Sequence, residues 1–157
     1  MKIKNLKPDS RSTFKQGYYN LINPEKYIGD PTRIIYRSSW ERKFCIYCDT
    51  NPKIEKWSSE PFRIQYLSQW DNKIHSYYPD FYMKTIDGQE FIVEVKPKKY
   101  SIKPTPPKRK TKKAEQRYAD EVKQYVINQS KWKATHHVSE EKGYKFRVIT
   151  EDFLNTK

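Results

Sequence analysis

The sequence predicts a single α+β domain: one helix, a run of antiparallel strands, a second helix and a last strand. Three observations predict it. Between residues 37 and 49, Trp40, Phe44, Tyr47 and Cys48 recur at i, i+4, i+7 and i+8, the apolar stripe of a helix packed on one side. From Ile54 to Val95 the chain changes to short β-prone runs separated by turn residues at Asn51-Pro52, 58–61, Asp71-Asn72 and Asp87-Gly88. After a basic stretch the helical period returns at Tyr118, Val122, Tyr125, Gln129 and Trp132, and residues 144–149 alternate again as a strand. A chain of 157 residues is large enough for one core of its own.

Taken in order, residues 1–22 are basic and aromatic without clear periodicity. They read as an arm, with Phe14, Tyr18 and Tyr19 as its points of packing, so the domain proper is expected over 23–157. Residues 23–31 are a run of turn signals leading into Ile34-Ile35-Tyr36. Within the first helix, Ser38-X-X-Glu41 is a capping box. Glu41 also borders the apolar stripe, so cap and functional carboxylate both stand as readings. Cys45 and Cys48 lie inside the helical pattern and read as buried reduced thiols. Zinc would need two more ligands, and the adjacent His136-His137 supply them poorly. Strands follow at 54–57, 62–66, 74–78 and 81–85. Glu60 reads as a loop charge and His75 as exposed. The second helix is expected over 115–136, and residues 150–154 as a capped terminal turn.

The chemistry is concentrated between Tyr78 and Lys99. Phe91, Val93 and Val95 project to one face of a strand, and Glu94 and Lys96 to the other. Asp80 opens the preceding strand, and Asp87-Gly88 supplies the turn between the two. Two carboxylates and the Val95 carbonyl would make a hard oxygen site for a magnesium-type cation, with Lys96 steadying a nucleophile or developing charge. The alternative is a solvated strand face. Register decides between them. A two-residue turn pairs Phe81 with Glu94 and leaves Asp80 on the wrong face. A three-residue loop ending in Gly88, or a bulge near Asp80, brings Asp80 opposite Glu94.

The formal charge of +13 and pI near 9.6 point to a polyanionic partner, and nucleic acid is the first candidate. No apolar segment is long enough to insert into an anionic membrane. Residues 1–12 lack the apolar centre of a signal peptide, so an intracellular protein is expected. Hydrophobic residues make up only 35% of the chain, and aromatics, at 15%, must carry much of the buried area. Residues 96–113 hold nine basic side chains and no acids, leaving only +4 for the rest. The Pro-rich part of this stretch, 97–113, reads as a solvated linker or as an insertion gripping phosphates through Lys98, Lys99, Lys108, Arg109, Lys110, Lys112 and Lys113. Gln129, on the packed stripe, and Lys131 are further candidates for contact with nucleic acid.

Pro79-Asp80, a spacer and Glu94-Val95-Lys96 resemble the catalytic core of the PD-(D/E)XK nucleases. That resemblance implies a restriction-endonuclease-like fold, a central mixed sheet flanked by helices. Residues 23–27, 36–44, Tyr78-Pro79-Asp80-Phe81, 94–98, 128–132 and Thr150-Glu151-Asp152 narrow it to the head completion nucleases of T4-like tailed phages. The chain is also similar to the TnsA endonuclease domain of transposition proteins. The resemblance implies Glu41, Asp80, Glu94 and Lys96 as the catalytic set. It implies magnesium (or manganese) held by Glu41, Asp80, Glu94 and Val95, and DNA as substrate. It further implies a role in trimming packaged DNA beside head, portal or tail-joining proteins, in the host cytoplasm or on the virion. A non-catalytic DNA-binding or virion assembly protein on the same fold, or a transposition endonuclease, are the competing expectations.

Overall fold

The computed structural model describes residues 16–155. Two short strands, β1 (Gly17–Tyr18) and β2 (Ile35–Tyr36), pair antiparallel ahead of helix α1 (Ser39–Thr50). Then come β3 (Ile54–Ser59), a hairpin of β4 (Ile64–Leu67) and β5 (Ile74–Tyr77), and the strands β6 (Phe81–Thr85) and β7 (Glu90–Val95). Helix α2 (Lys112–Lys142), strand β8 (Lys145–Ile149) and the short helix α3 (Glu151–Leu154) complete the chain. The central sheet has four strands in the order β3-β6-β7-β8. Its first three are antiparallel, β6 and β7 through a short turn and β3 and β6 across the β4–β5 hairpin, whereas β8 returns through α2 and so lies parallel to β7. The expected mixed sheet flanked by helices is the fold observed.

One face of the sheet packs on α1. Phe81, Met83, Val93 and Val95 meet Phe44, Cys45, Cys48 and Trp57 in the main core, and the Phe44 and Phe81 rings lie 4.7 Å apart. Cys45 and Cys48 are free thiols, fully buried. The inward stripe of α1 is Phe44, Cys45, Cys48 and Asp49, while Trp40 and Tyr47 sit at its margin.

Asp49 ties the segment around residues 19–23 to the end of α1. Its buried carboxylate accepts from the Tyr19 hydroxyl (2.7 Å) and from the backbone N–H groups of Ile22 (2.8 Å) and Asn23 (2.9 Å). Tyr19 is in the core, whereas Tyr18 is exposed. Phe14 and residues 1–15 lie outside the described residues.

Helix α2 is longer than its apolar period suggests, spanning 31 residues. Thr111 Oγ1 caps it by accepting from the Ala114 N–H, and Gly143 ends it at φ +75°, a left-handed conformation that glycine adopts without strain. Lys112 and Lys113 are therefore its first turn. Its buried residues are polar: Asn128, Ser130, Thr135 and Ser139. The helix packs on the β4–β5 hairpin through hydrogen bonds. Ser130 Oγ accepts from the Gln69 N–H at 3.0 Å, and Thr135 Oγ1 pairs with the Tyr77 hydroxyl. Gln129, expected on the packed stripe, is exposed, because its neighbours Asn128 and Ser130 take the inward positions.

Candidate active site

The β6–β7 connection settles the register. Thr85 N–H donates to the Gln89 carbonyl (2.9 Å) and Gly88 N–H to the Thr85 carbonyl (3.0 Å), leaving residues 86–88 as a three-residue loop with Gly88 at φ +88°. Phe81 accordingly pairs with Val93 and Met83 with Phe91. Extending that register by one residue sets Asp80 opposite Glu94. A two-residue turn would have put them on opposite faces.

Glu94 is only 4% exposed, so the solvated-face reading of its strand does not hold. Asp80 Oδ2 accepts from the Val95 N–H at 2.8 Å. The Glu94 and Asp80 carboxyl groups lie against each other, and Glu94 Oε1 is buried with no hydrogen-bond partner. Burial, then the neighbouring Asp80 charge, hold Glu94 well above the usual carboxylate range. Burial also raises Asp80, against the pull of Lys96 and the Val95 N–H. Two like-charged groups crowded away from water favour the protonated form.

Glu41 reaches the same field from α1. Its backbone N–H donates to Ser38 Oγ (3.1 Å), and its Oε2 accepts from the Arg37 N–H (3.0 Å). The reciprocal bond of the capping box is thus displaced one residue outward, so the capping role of Glu41 leaves its carboxylate beside the candidate site. Burial, then the Asp80 charge, push it up to about 8. Glu41, Val95, Lys96 and Tyr100 line a cleft of about 460 Å³.

Among the described residues no three His, Cys, Asp or Glu side chains form a ready metal cage. The donor set nonetheless suits a hard cation. It is all oxygen, it contains a buried carboxylate atom without a partner, and a magnesium ion is commonly held by one or two carboxylates, with water and substrate phosphate supplying the rest.

Three side chains join the site that the sequence did not single out for it. Glu60 was read as a loop charge, yet its N–H donates to the Asp80 carbonyl (2.8 Å) and its carboxylate meets Arg37 Nε at 3.4 Å. Its φ of +49° is unusual for a residue with a side chain, and its charge helps raise Glu41 and Asp80. The remaining one is Tyr77, whose hydroxyl contacts Glu94. Only the register of the neighbouring strands could have pointed to them.

The basic candidates divide. Lys98 is tied to α3, by its N–H to Glu151 Oε2 (2.8 Å) and its ammonium to Asp152 (3.2 Å). Lys99 lies over the Tyr100 ring, and Lys108, Arg109, Lys110, Lys112 and Lys113 are exposed. Lys99, Tyr100, Lys113 and Arg117 line a second cleft of about 570 Å³, which shares Tyr100 with the first. Lys131 stands beside Glu94, Asp80 and Lys96, near enough to feel all three charges.

A mixed sheet flanked by helices, with paired carboxylates and a lysine at the end of an inner strand, defines a restriction-endonuclease-like protein. Comparison with known families agrees. The chain belongs to the TnsA-like endonuclease N-terminal family, whose model matches residues 51–151. It is similar to the head completion nuclease of Enterobacteria phage T4, 42% identical over 132 residues that cover 84% of this chain and 88% of that protein. The family match contains Asp80, Glu94, Lys96 and Lys131, while Glu41 lies ahead of it.

Proposed function

We propose that this chain is a divalent-cation-dependent DNA endonuclease acting in the completion of phage heads. The observation that carries the chemistry is the buried, partnerless Glu94 Oε1 facing Asp80, an arrangement that is costly unless a cation relieves it. The phage role rests on the printed name of the T4 relative. DNA is the partner, with head, portal or tail-joining proteins as neighbours in the host cytoplasm or on the virion.

Asp80, Glu94 and Glu41 would hold the cation, together with the Val95 carbonyl. When bound, the cation (magnesium, or manganese in its place) neutralises the phosphate and lowers the pKa of a water molecule. The chain supplies the rest. Val95 N–H fixes one Asp80 oxygen and leaves the other to face the site. Lys96 orients the attacking water and stabilises charge as it develops. Glu41, close enough for the Asp80 charge to act on it, would help to position that water. The exposed lysines of 98–113 with Gln129 grip the flanking backbone without reading sequence.

The test is plasmid nicking with and without magnesium, using wild type, Asp80→Ala and Lys96→Ala. Cation-dependent cutting that both substitutions abolish is the expected result. A wild type that cuts nothing, or variants that cut equally well, would end this reading.

A further inference from the structure

We propose that Lys131 is a second catalytic lysine, its ammonium donating to a non-bridging oxygen of the scissile phosphate; this rests on the nuclease reading above. Lys131 comes from α2, not from the strand that carries Lys96. Its Nζ lies 5.1 Å from the centre of the Tyr77 ring and 5.9 Å from that of Tyr66. Those rings sit on β5 and β4, and Tyr77 is anchored in turn by its hydroxyl to Thr135, one turn along α2. The hairpin and the helix thus hold a long, flexible side chain in one place.

Lys131 shares the field of Glu94, Asp80 and Lys96, yet its ammonium makes no hydrogen bond and no ion pair among the described residues. A structural counter-ion to Glu94 would close to within ion-pair distance. A groove-binding lysine would stand exposed, as Lys112 and Lys113 do, but Lys131 is half-buried. A held cation with no partner, beside carboxylates assigned to a metal, fits an anion that arrives with substrate. In hydrolysis the water oxygen bonds to phosphorus as the phosphorus–oxygen bond to the leaving group breaks. The water loses a proton and the leaving oxygen gains one, and negative charge gathers on the non-bridging oxygens in between. That charge is what Lys131 meets.

The experiment uses the full chain with Lys131→Met and Lys131→Arg. Single-turnover nicking is measured at saturating protein, and binding of a short duplex is measured separately in EDTA. Lys131→Met is expected to slow nicking by about 10²-fold, the loss typical of one preorganised donor. Its duplex affinity is expected to fall less than about 3-fold, since one phosphate contact among many is removed. Arginine, which keeps the charge and the ring contact, is expected to restore at least part of the rate. Nicking by Lys131→Met at the wild-type rate overturns the proposal, as does a loss of rate matched by an equal loss of affinity. Lys131→Arg guards against misfolding of the methionine variant: an arginine variant that melts like wild type and is no faster than a folded methionine variant also overturns it. An inactive wild type removes the nuclease reading itself and this inference with it.

Discussion

Asp80 Oδ2 accepts a 2.8 Å hydrogen bond from the backbone N–H of Val95, the residue that follows Glu94. This bond locks the start of one strand to the end of the next and holds two buried carboxylates together, where the pull of Lys96 does not offset the cost of burial. The fold therefore carries a local electrostatic cost at the place where its chemistry is assigned, and several consequences can be measured.

Neutralising either carboxylate should stabilise the cation-free protein while removing activity. Asp80→Asn keeps an oxygen for the Val95 N–H, and Glu94→Gln keeps the buried volume. Each is expected to add about 1 kcal/mol, or roughly 2–4 °C in melting temperature. Nicking should fall by at least about 10²-fold. Thermal unfolding in EDTA beside a nicking assay reads both; a variant that melts lower than wild type would count against the electrostatic account.

The cation-free protein should lose stability as pH rises. Glu41 titrates near 4.5 when unfolded and near 8 when folded, and Glu94 and Asp80 are raised as well. For a raised carboxylate the folded state binds the extra proton, so its stabilising contribution is complete below about 4.5 and fades as pH approaches 8. Melting curves in EDTA between pH 5 and 9 should slope downward across that window. Glu41→Gln should flatten the slope.

Adding magnesium or manganese should reverse the loss, most strongly at the alkaline end. At a concentration about 100 times its dissociation constant the ion adds about 2.7 kcal/mol. The rise in melting temperature should vanish in Asp80→Asn and in Glu94→Gln. An undiminished rise in both variants would place the cation elsewhere.

Gly88 should tolerate substitution poorly although nothing lies within 4 Å of where a Cβ would stand. Its φ of +88° is the obstacle. Gly88→Val is expected to cost about 1–2 kcal/mol through backbone strain alone. Chemical denaturation compares it with Gly143→Val, where φ is +75° and the space is equally open. Similar losses at the two sites would confirm conformational strain as the cause.

Replacing Lys108, Arg109 and Lys110 with glutamine should reduce the slope of log affinity against log salt by about 3, roughly one unit per lost phosphate contact. The fold should be unaffected, because all three are exposed. Duplex binding at several salt concentrations checks this. An unchanged slope would show the segment to be a linker.

Much of this was readable along the chain because it is local. The α1 stripe, the turns, the alternation of β7 and the carboxylate–lysine pair depend on neighbours a few residues apart. Gln129 was misplaced because α2 packs through serine and threonine, and a period of apolar residues cannot register hydrogen-bonded packing. Glu60, Arg37 and Tyr77 were passed over as site residues because they come from separate loops and strands, Glu60 to Asp80, Tyr77 to Glu94 and Arg37 to Glu41 and Glu60. The role of Asp49 depends on residues 19–23 closing over it, a contact across more than twenty residues that no local pattern carries.

What the sequence by itself determined is which chemistry is available: two acids and a lysine on adjoining strands, a capped glutamate, and a surplus of positive charge. Those are properties of side-chain identity and of short periods, and no folding is needed to count them. The tertiary structure alone decided whether that chemistry meets. One extra residue in the 86–88 loop turns Asp80 toward Glu94, and the crossover through α2 buries their face and brings Lys131 to it. Strand register and long-range packing are collective outcomes, set by a core that no single stretch of the chain contains.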